Sequence, residues 1–231
     1  MKTAGIIGGI GPESTIDYYR LIIASYRERT RDAGYPPILI NSIDLKRLVD
    51  LITDGALPAV TDLLIGELRR LAQAGADFGL LAANTPHIVF DDLRRRSPLP
   101  LLSIVEATRD GARSLGLRTV GLLGTRFTMQ GRFYPDVFEA AGIALVTPAP
   151  DEQTFIHDRY MSELVNGVFT QPTRDRFLSI SRRLAEEDGI KGLILGGTEL
   201  PLLMRGAEVP GVPFLDTTRL HVEQVVDRLL S

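Results

Sequence analysis

The feature that most constrains the fold is a series of eight short apolar runs that are continuous instead of alternating with polar residues. They lie at residues 3–7, 38–43, 78–81, 99–104, 120–123, 144–146, 192–195 and 212–215. Continuous runs rich in Leu, Ile and Val are typical of strands buried on both faces. The segments between them repeat apolar residues at helical spacing, as at Val60, Leu64 and Leu68. This alternation predicts an α/β fold with parallel sheets flanked by helices, in which ligands bind at the carboxyl ends of strands.

Two strand-end loops recur in the second half of the chain. The Gly-rich segment 5–9 has a counterpart at 121–125, and segment 81–85 has one at 195–199, each about 115 residues further along. Gly-flanked strand ends are common in α/β proteins, but the agreement of the two spacings favours two pseudo-symmetric α/β lobes with a cleft between them. We expect the first lobe to comprise 1–99 with 210–231 returning to it, and the second to comprise 100–209.

Composition excludes several function classes. The 231 residues carry a formal net charge of -3 with no basic block, which argues against a nucleic-acid partner. No apolar run approaches the roughly 18 residues of a membrane span, so we expect a cytoplasmic protein with no membrane partner. Cysteine is absent and histidine occurs three times. This excludes disulfides, thiolate metal sites and thiol catalysis, and we expect no metal.

The segment 8–15 follows the first strand and opens a helix. Its glycines permit a tight turn, and Pro12 suits the first turn of a helix. Backbone N–H groups and the helix dipole would favour an anion such as a substrate carboxylate, which makes Gly9 and Ile10 candidate binding residues. The pattern is neither a dinucleotide fingerprint nor a P-loop. A plain strand-to-helix turn is the alternative.

The segment Asn84-Thr85-Pro86-His87 follows the third strand. Asn84 and Thr85 either cap a helix or bind a carboxylate or an amine. His87 lies near the predicted helix start, where the dipole lowers its pKa, and a neutral imidazole can act as a base. A purely structural histidine is the alternative.

The corresponding loops of the second half supply Thr125 and the segment Gly197-Thr198-Glu199. Both threonines can cap a helix or bind a carboxylate. Glu199 either favours a helix dipole or, in a dry cleft, serves as an acid or base with a raised pKa.

Taken in order, the segments 5–15, 83–87, 121–129 and 196–199 resemble the aspartate/glutamate racemase family of cofactor-independent amino-acid racemases. The resemblance implies two pseudo-symmetric lobes with the active site between them, a homodimer, and neither pyridoxal phosphate nor metal. It also implies isomerase chemistry on a small amino or carboxylic acid. The substrate-binding residues would be Gly9, Ile10, Asn84, Thr85, Thr125 and Thr198.

The chain departs from this family where the chemistry takes place. The family usually carries one cysteine before the Asn-Thr motif and one before the Thr-Glu motif, and here those positions are Ala83 and Gly197. A two-thiol racemase is therefore excluded. Three explanations remain: another reaction on a carboxylic acid, such as a lyase or other isomerase using Glu199 or His87; binding without turnover; or substitutions introduced into an active racemase.

Overall fold

The structure is a computed structural model that describes residues 1–31 and 34–231. Within these residues the chain forms two four-stranded parallel sheets. The first contains β1 (Ala4–Gly8), β2 (Ile38–Ser42), β3 (Phe78–Leu81) and β4 (Leu101–Leu102), and the second contains β5 (Thr119–Gly124), β6 (Ala144–Val146), β7 (Leu193–Gly196) and β8 (Phe214–Asp216). Helices flank both sheets, so the predicted α/β fold with two parallel sheets is confirmed.

The two sheets share one topology. The first has the strand order β2-β1-β3-β4 and the second has β6-β5-β7-β8. In each sheet the first strand in sequence therefore pairs with the second and the third, and the fourth strand adds to the third. This equivalence places the loops after β1 and β5 at matching positions, and likewise the loops after β3 and β7.

The helices follow from local sequence signals. Pro12 begins α1, and Asp44 caps α2 by accepting a hydrogen bond from the Lys46 N–H at 2.9 Å. The predicted apolar stripe of α3, which includes Val60 and Leu64, is buried. The helices are α1 (Pro12–Thr30), α2 (Leu45–Thr53), α3 (Leu57–Gln73), α4 (Phe90–Arg96), α5 (Ile104–Ser114), α6 (Arg126–Gln130), α7 (Phe133–Glu139), α8 (Pro150–Ser162), α9 (Gln171–Glu186), α10 (Leu200–Leu203) and α11 (Thr217–Leu230), with short 3₁₀ turns at Thr85–Val89 and Leu164–Asn166.

The chain divides into two compact units, one formed by Met1–Ile104 with His221–Ser231 and the other by Val105–Leu220. The segment expected to return to the first lobe began at residue 210. In the structure β8 belongs to the second unit, where it pairs with β7 and Phe214 lies opposite Leu193. The chain returns to the first unit only at His221, within α11. Val222, Val225 and Leu229 of that helix then pack into the core of the first unit.

Burial differs between central and edge strands. The central strands β1, β3 and β7 are buried along their whole length. The prediction of burial on both faces is wrong for β2, which is half-exposed because it forms an edge of its sheet. No helix in the described part of the chain combines the length and apolar character required to cross a bilayer.

Candidate functional site

The loop after β1 is a tight turn that only glycine fits. Gly9 has a φ of 80°, in the left-handed region, and a Cβ there would lie 2.6 Å from Ser42 Oγ. The Gly9 N–H donates to Thr15 Oγ1 at 2.8 Å, and the Ile43 N–H donates to the Gly8 carbonyl at 2.9 Å. The loop is thus fixed by its own hydrogen bonds, and the Gly9 amide that was a candidate anion ligand is engaged within the turn.

The loop after β3 lies beside the start of α1. The Ala82 N–H donates to the Ile7 carbonyl at 2.9 Å, and Ser14 Oγ donates to the Ala82 carbonyl at 2.7 Å. Ala83 and Asn84 are buried, and Thr85 begins the 3₁₀ turn. Since β1 and β3 are neighbours, the two predicted loops of the first unit stand at the same carboxyl edge of its sheet.

His87 is buried, and both of its ring nitrogens have partners in the first unit. Nε2 accepts a hydrogen bond from the Ile104 N–H at 3.3 Å, and Nδ1 lies 3.1 Å from the Ala83 carbonyl oxygen and 3.2 Å from that of Asn84. Nδ1 therefore carries the proton and donates it. Burial, with a smaller contribution from His221, lowers the pKa of His87 to about 3. The imidazole is neutral, and this geometry favours its structural alternative, in which it ties the Ala83 loop to the start of α5.

Thr125 follows β5 in the second unit and caps α6. Its Oγ1 accepts a hydrogen bond from the Thr128 N–H at 3.3 Å, and its side chain is largely buried. The β5 and β7 strands are neighbours, with Gly124 opposite Gly196. Thr125 and the loop after β7 consequently lie at one carboxyl edge of the second sheet.

The loop after β7 contains two polar residues, Thr198 and Glu199, that are almost completely buried and hydrogen-bonded to each other. Thr198 and Glu199 are each 2 % exposed. Thr198 Oγ1 donates to Glu199 Oε2 at 3.1 Å, and the hydroxyl of Tyr160, from α8, donates to the same oxygen. Burial, reinforced by the nearby Glu199 charge, raises the pKa of Tyr160 well above its usual value, so the phenol keeps its proton.

Tyr160 is the functional candidate that the sequence analysis missed. It is separated from Glu199 by 39 positions, so no local motif joins the two. The available signal is weaker: Tyr160 follows Ile156 by one helical turn on the buried face of α8. That spacing predicts a buried tyrosine but not its partner.

The predicted residues thus form two groups at equivalent places, one in each unit. Gly9, Ile10, Asn84 and Thr85 stand at the ends of the two central strands of the first sheet. Thr125, Thr198 and Glu199 stand at the ends of the two central strands of the second. Each group lies where parallel sheets bind their ligands.

Comparisons with known proteins bear on the identity of the chain. The model of the Asp/Glu/hydantoin racemase family matches residues 7–225. The broad specificity amino-acid racemase RacX of Bacillus subtilis (strain 168) is 27 % identical over 179 residues, covering 70 % of this chain and 67 % of RacX.

Two solved structures match the whole chain. A Yersinia pestis protein, provisionally described as an Asp/Glu racemase, is 33 % identical with a TM-score of 0.89, and both chains are covered completely. An aspartate racemase homologue from Pyrococcus horikoshii OT3 is 34 % identical with a TM-score of 0.85 and the same complete coverage. The resemblance inferred from the four motifs is therefore confirmed at the level of the family. Because the family model extends over nearly the entire sequence, this chain belongs to the Asp/Glu/hydantoin racemase family.

Proposed function

We propose that this protein binds a small amino or carboxylic acid through the loops at the carboxyl ends of its central strands, and that it does not use a two-thiol racemase mechanism. Membership of the racemase family supports the ligand class and an origin in isomerase chemistry. The absence of cysteine from the sequence supports the second half of the proposal.

The observation that carries the proposal is the burial of polar side chains at matching strand ends. Asn84, Thr125 and Thr198 are all buried, and each lies within three residues of the end of a central strand. Amide and hydroxyl groups are suited to hydrogen-bonding the oxygens of a carboxylate. Their recurrence in two sheets of one topology supports a shared role in holding a small acid.

Proton chemistry in such a site requires an ionisable group near the substrate α-carbon. In the two-base mechanism of inversion, a base removes the α-proton from one face and an acid returns a proton to the other. Ala83 and Gly197 supply neither, and His87 has both nitrogens engaged in hydrogen bonds. Among the predicted residues we therefore propose Glu199 as the one whose side chain would carry the proton in any turnover reaction, and His87 as a residue that supports the Asn84 loop.

Ligand binding is tested by thermal unfolding and calorimetric titration with D- and L-aspartate, D- and L-glutamate and succinate, with the neutral diamide succinamide as control. A ligand at 100 times its Kd stabilises the folded state by about 2.7 kcal/mol. For a chain of this size that raises Tm by roughly 5–11 °C. We expect a rise with at least one acid and none with succinamide. A flat response to all the acids would refute the proposal.

The assignment of Thr198 has a matched control in Thr61, a buried threonine whose hydroxyl donates to the Leu57 carbonyl of its own helix at 3.1 Å. We expect Thr198→Val to weaken the binding of the acid and Thr61→Val to leave it unchanged. Equal affinities in the two variants would remove Thr198 from the binding site.

Whether another group replaces the missing thiols in α-proton transfer is tested by incubating aspartate and glutamate with the protein in heavy water. We expect loss of the α-proton signal in ¹H NMR to stay at the rate without protein, because loss of a catalytic pair lowers rates by orders of magnitude. Exchange that is well above background and is abolished in Glu199→Gln would show instead that the carboxylate replaces the thiols.

A further inference from the structure

The ring of Tyr160 occupies the space into which a side chain at position 197 would extend. A Cβ built on Gly197 would lie 2.5 Å from the Tyr160 hydroxyl oxygen and 2.8 Å from Cζ, which is closer than real Cβ atoms approach other atoms. Gly197 is not among the glycines with positive φ. A side chain at 197 would therefore force the Tyr160 ring to shift, whereas the backbone conformation at 197 suits any residue.

The phenol also brings a polar group to the end of β7 from a different element. Tyr160 is 4 % exposed and belongs to the apolar core of the second unit, together with Ile156 and Leu200. In these surroundings its hydroxyl donates to Glu199, and Thr198 donates to the same carboxylate oxygen. Two donors on one oxygen restrict where the carboxylate can lie.

We propose that Tyr160 is a positioning residue of the binding site. Its ring fills the volume that a side chain at 197 would occupy, and its phenol holds the Glu199 carboxylate at the end of β7. The polar groups at the end of β7 are then the hydroxyl of Tyr160, from α8, and the carboxylate of Glu199, directly before α10, and not a side chain at position 197. This inference rests on the proposed function, since it assigns Tyr160 a role in acid binding that is exerted through Glu199.

A second buried tyrosine in the same unit provides a matched control. Tyr134 is fully buried on α7, and its hydroxyl is hydrogen-bonded to Thr108. Tyr160→Phe and Tyr134→Phe each remove one buried phenolic hydroxyl and keep the ring. Only Tyr160→Phe removes a hydrogen bond to a carboxylate at a strand end. Comparing the two variants therefore separates the general effect of losing a buried hydroxyl from a specific effect on ligand binding.

The test measures the Kd of the tightest-binding acid among the D and L forms of aspartate and glutamate by calorimetry. We expect Tyr160→Phe to weaken binding by about three- to tenfold, because an unrestrained Glu199 side chain must then be ordered on binding, and Tyr134→Phe to leave it within about twofold. Because Tyr160 acts through Glu199, the double variant Tyr160→Phe/Glu199→Gln should bind no more weakly than Glu199→Gln alone.

A spectroscopic measurement complements the affinities. In protein labelled with 3-fluorotyrosine, the ¹⁹F resonance that disappears in Tyr160→Phe should shift on saturation with the acid, while the Tyr134 resonance stays in place. Three results would each overturn the positioning role while leaving the proposed function intact. They are an unchanged affinity in Tyr160→Phe, additive losses of affinity in the double variant, and a Tyr160 resonance that does not shift when the acid is added. Failure of the unmodified protein to bind any of the acids would overturn both.

Discussion

The substitution Gly197→Ala tests the packing of the second unit most directly. It adds one methyl group whose carbon would lie 2.5 Å from the Tyr160 hydroxyl oxygen. Overpacking of this kind costs about 1–3 kcal/mol. If the ring moves away, the hydrogen bond to Glu199 is lost as well, and a hydrogen bond to a charged group contributes about 1.5–3 kcal/mol.

Together these terms lower the free energy of unfolding by about 2.5–6 kcal/mol. For a chain of this length, 1 kcal/mol corresponds to roughly 2–4 °C in Tm. We therefore expect Gly197→Ala to lower Tm by roughly 5–24 °C in a calorimetric scan. The same loss should appear as a lower midpoint in urea, because both measurements report the strain imposed on the Tyr160 ring.

Two controls identify the cause of that loss. A Cβ at Gly66, within α3, meets no atom within 4 Å, so Gly66→Ala should raise stability by up to about 1 kcal/mol. In a Tyr160→Ala background the ring is absent, and Gly197→Ala should then cost much less than in the unmodified protein. An unaltered Tm in Gly197→Ala, or an equal loss in both backgrounds, would refute the steric argument.

The remaining predictions concern stability. Burial lowers the pKa of His87 to about 3 and that of His221 to about 4, so the unfolded chain binds protons more readily. Urea unfolding should therefore show stability falling as the pH drops from about 6.5 to 4, by up to about 1.4 kcal/mol per pH unit for each histidine, and His221→Gln should flatten this slope. Glu152 accepts hydrogen bonds from Arg183 at 2.6 and 2.9 Å and is largely buried; Glu152→Gln should cost about 1–3 kcal/mol, whereas Glu187→Gln, at an exposed ion pair, should change stability by less than about 1 kcal/mol.

The architecture could be predicted because strand burial leaves a direct trace in the sequence. All eight apolar runs overlap a strand. Four of these strands are central, and their continuous apolar sequence follows from cover on both faces of the sheet. The other four lie at sheet edges. Their ends are less predictable. The run 99–104 was expected to be a strand throughout, but only Leu101 and Leu102 pair with β3, because Ile104 already begins α5.

The positions of the candidate site residues could likewise be predicted, but their partners could not. The loops follow from glycines and from capping residues at the strand ends, which are local signals. The state of His87 depends on the Ile104 N–H, and that of Glu199 depends on Tyr160. Both contacts join residues from separate elements, so only the tertiary structure shows which nitrogen or oxygen is already engaged.

The two positions that the family resemblance assigns to cysteines differ physically, and this difference determines how readily each would accept a cysteine. Ala83 has a Cβ, so a cysteine there extends an existing side chain. Gly197 has none, and the Tyr160 ring fills the adjoining volume. A cysteine at 197 would therefore displace the Tyr160 ring, and the hydrogen bond from Tyr160 to Glu199 would be lost with it. The packing of the Tyr160 ring and its hydrogen bond to Glu199 therefore both oppose a side chain at 197.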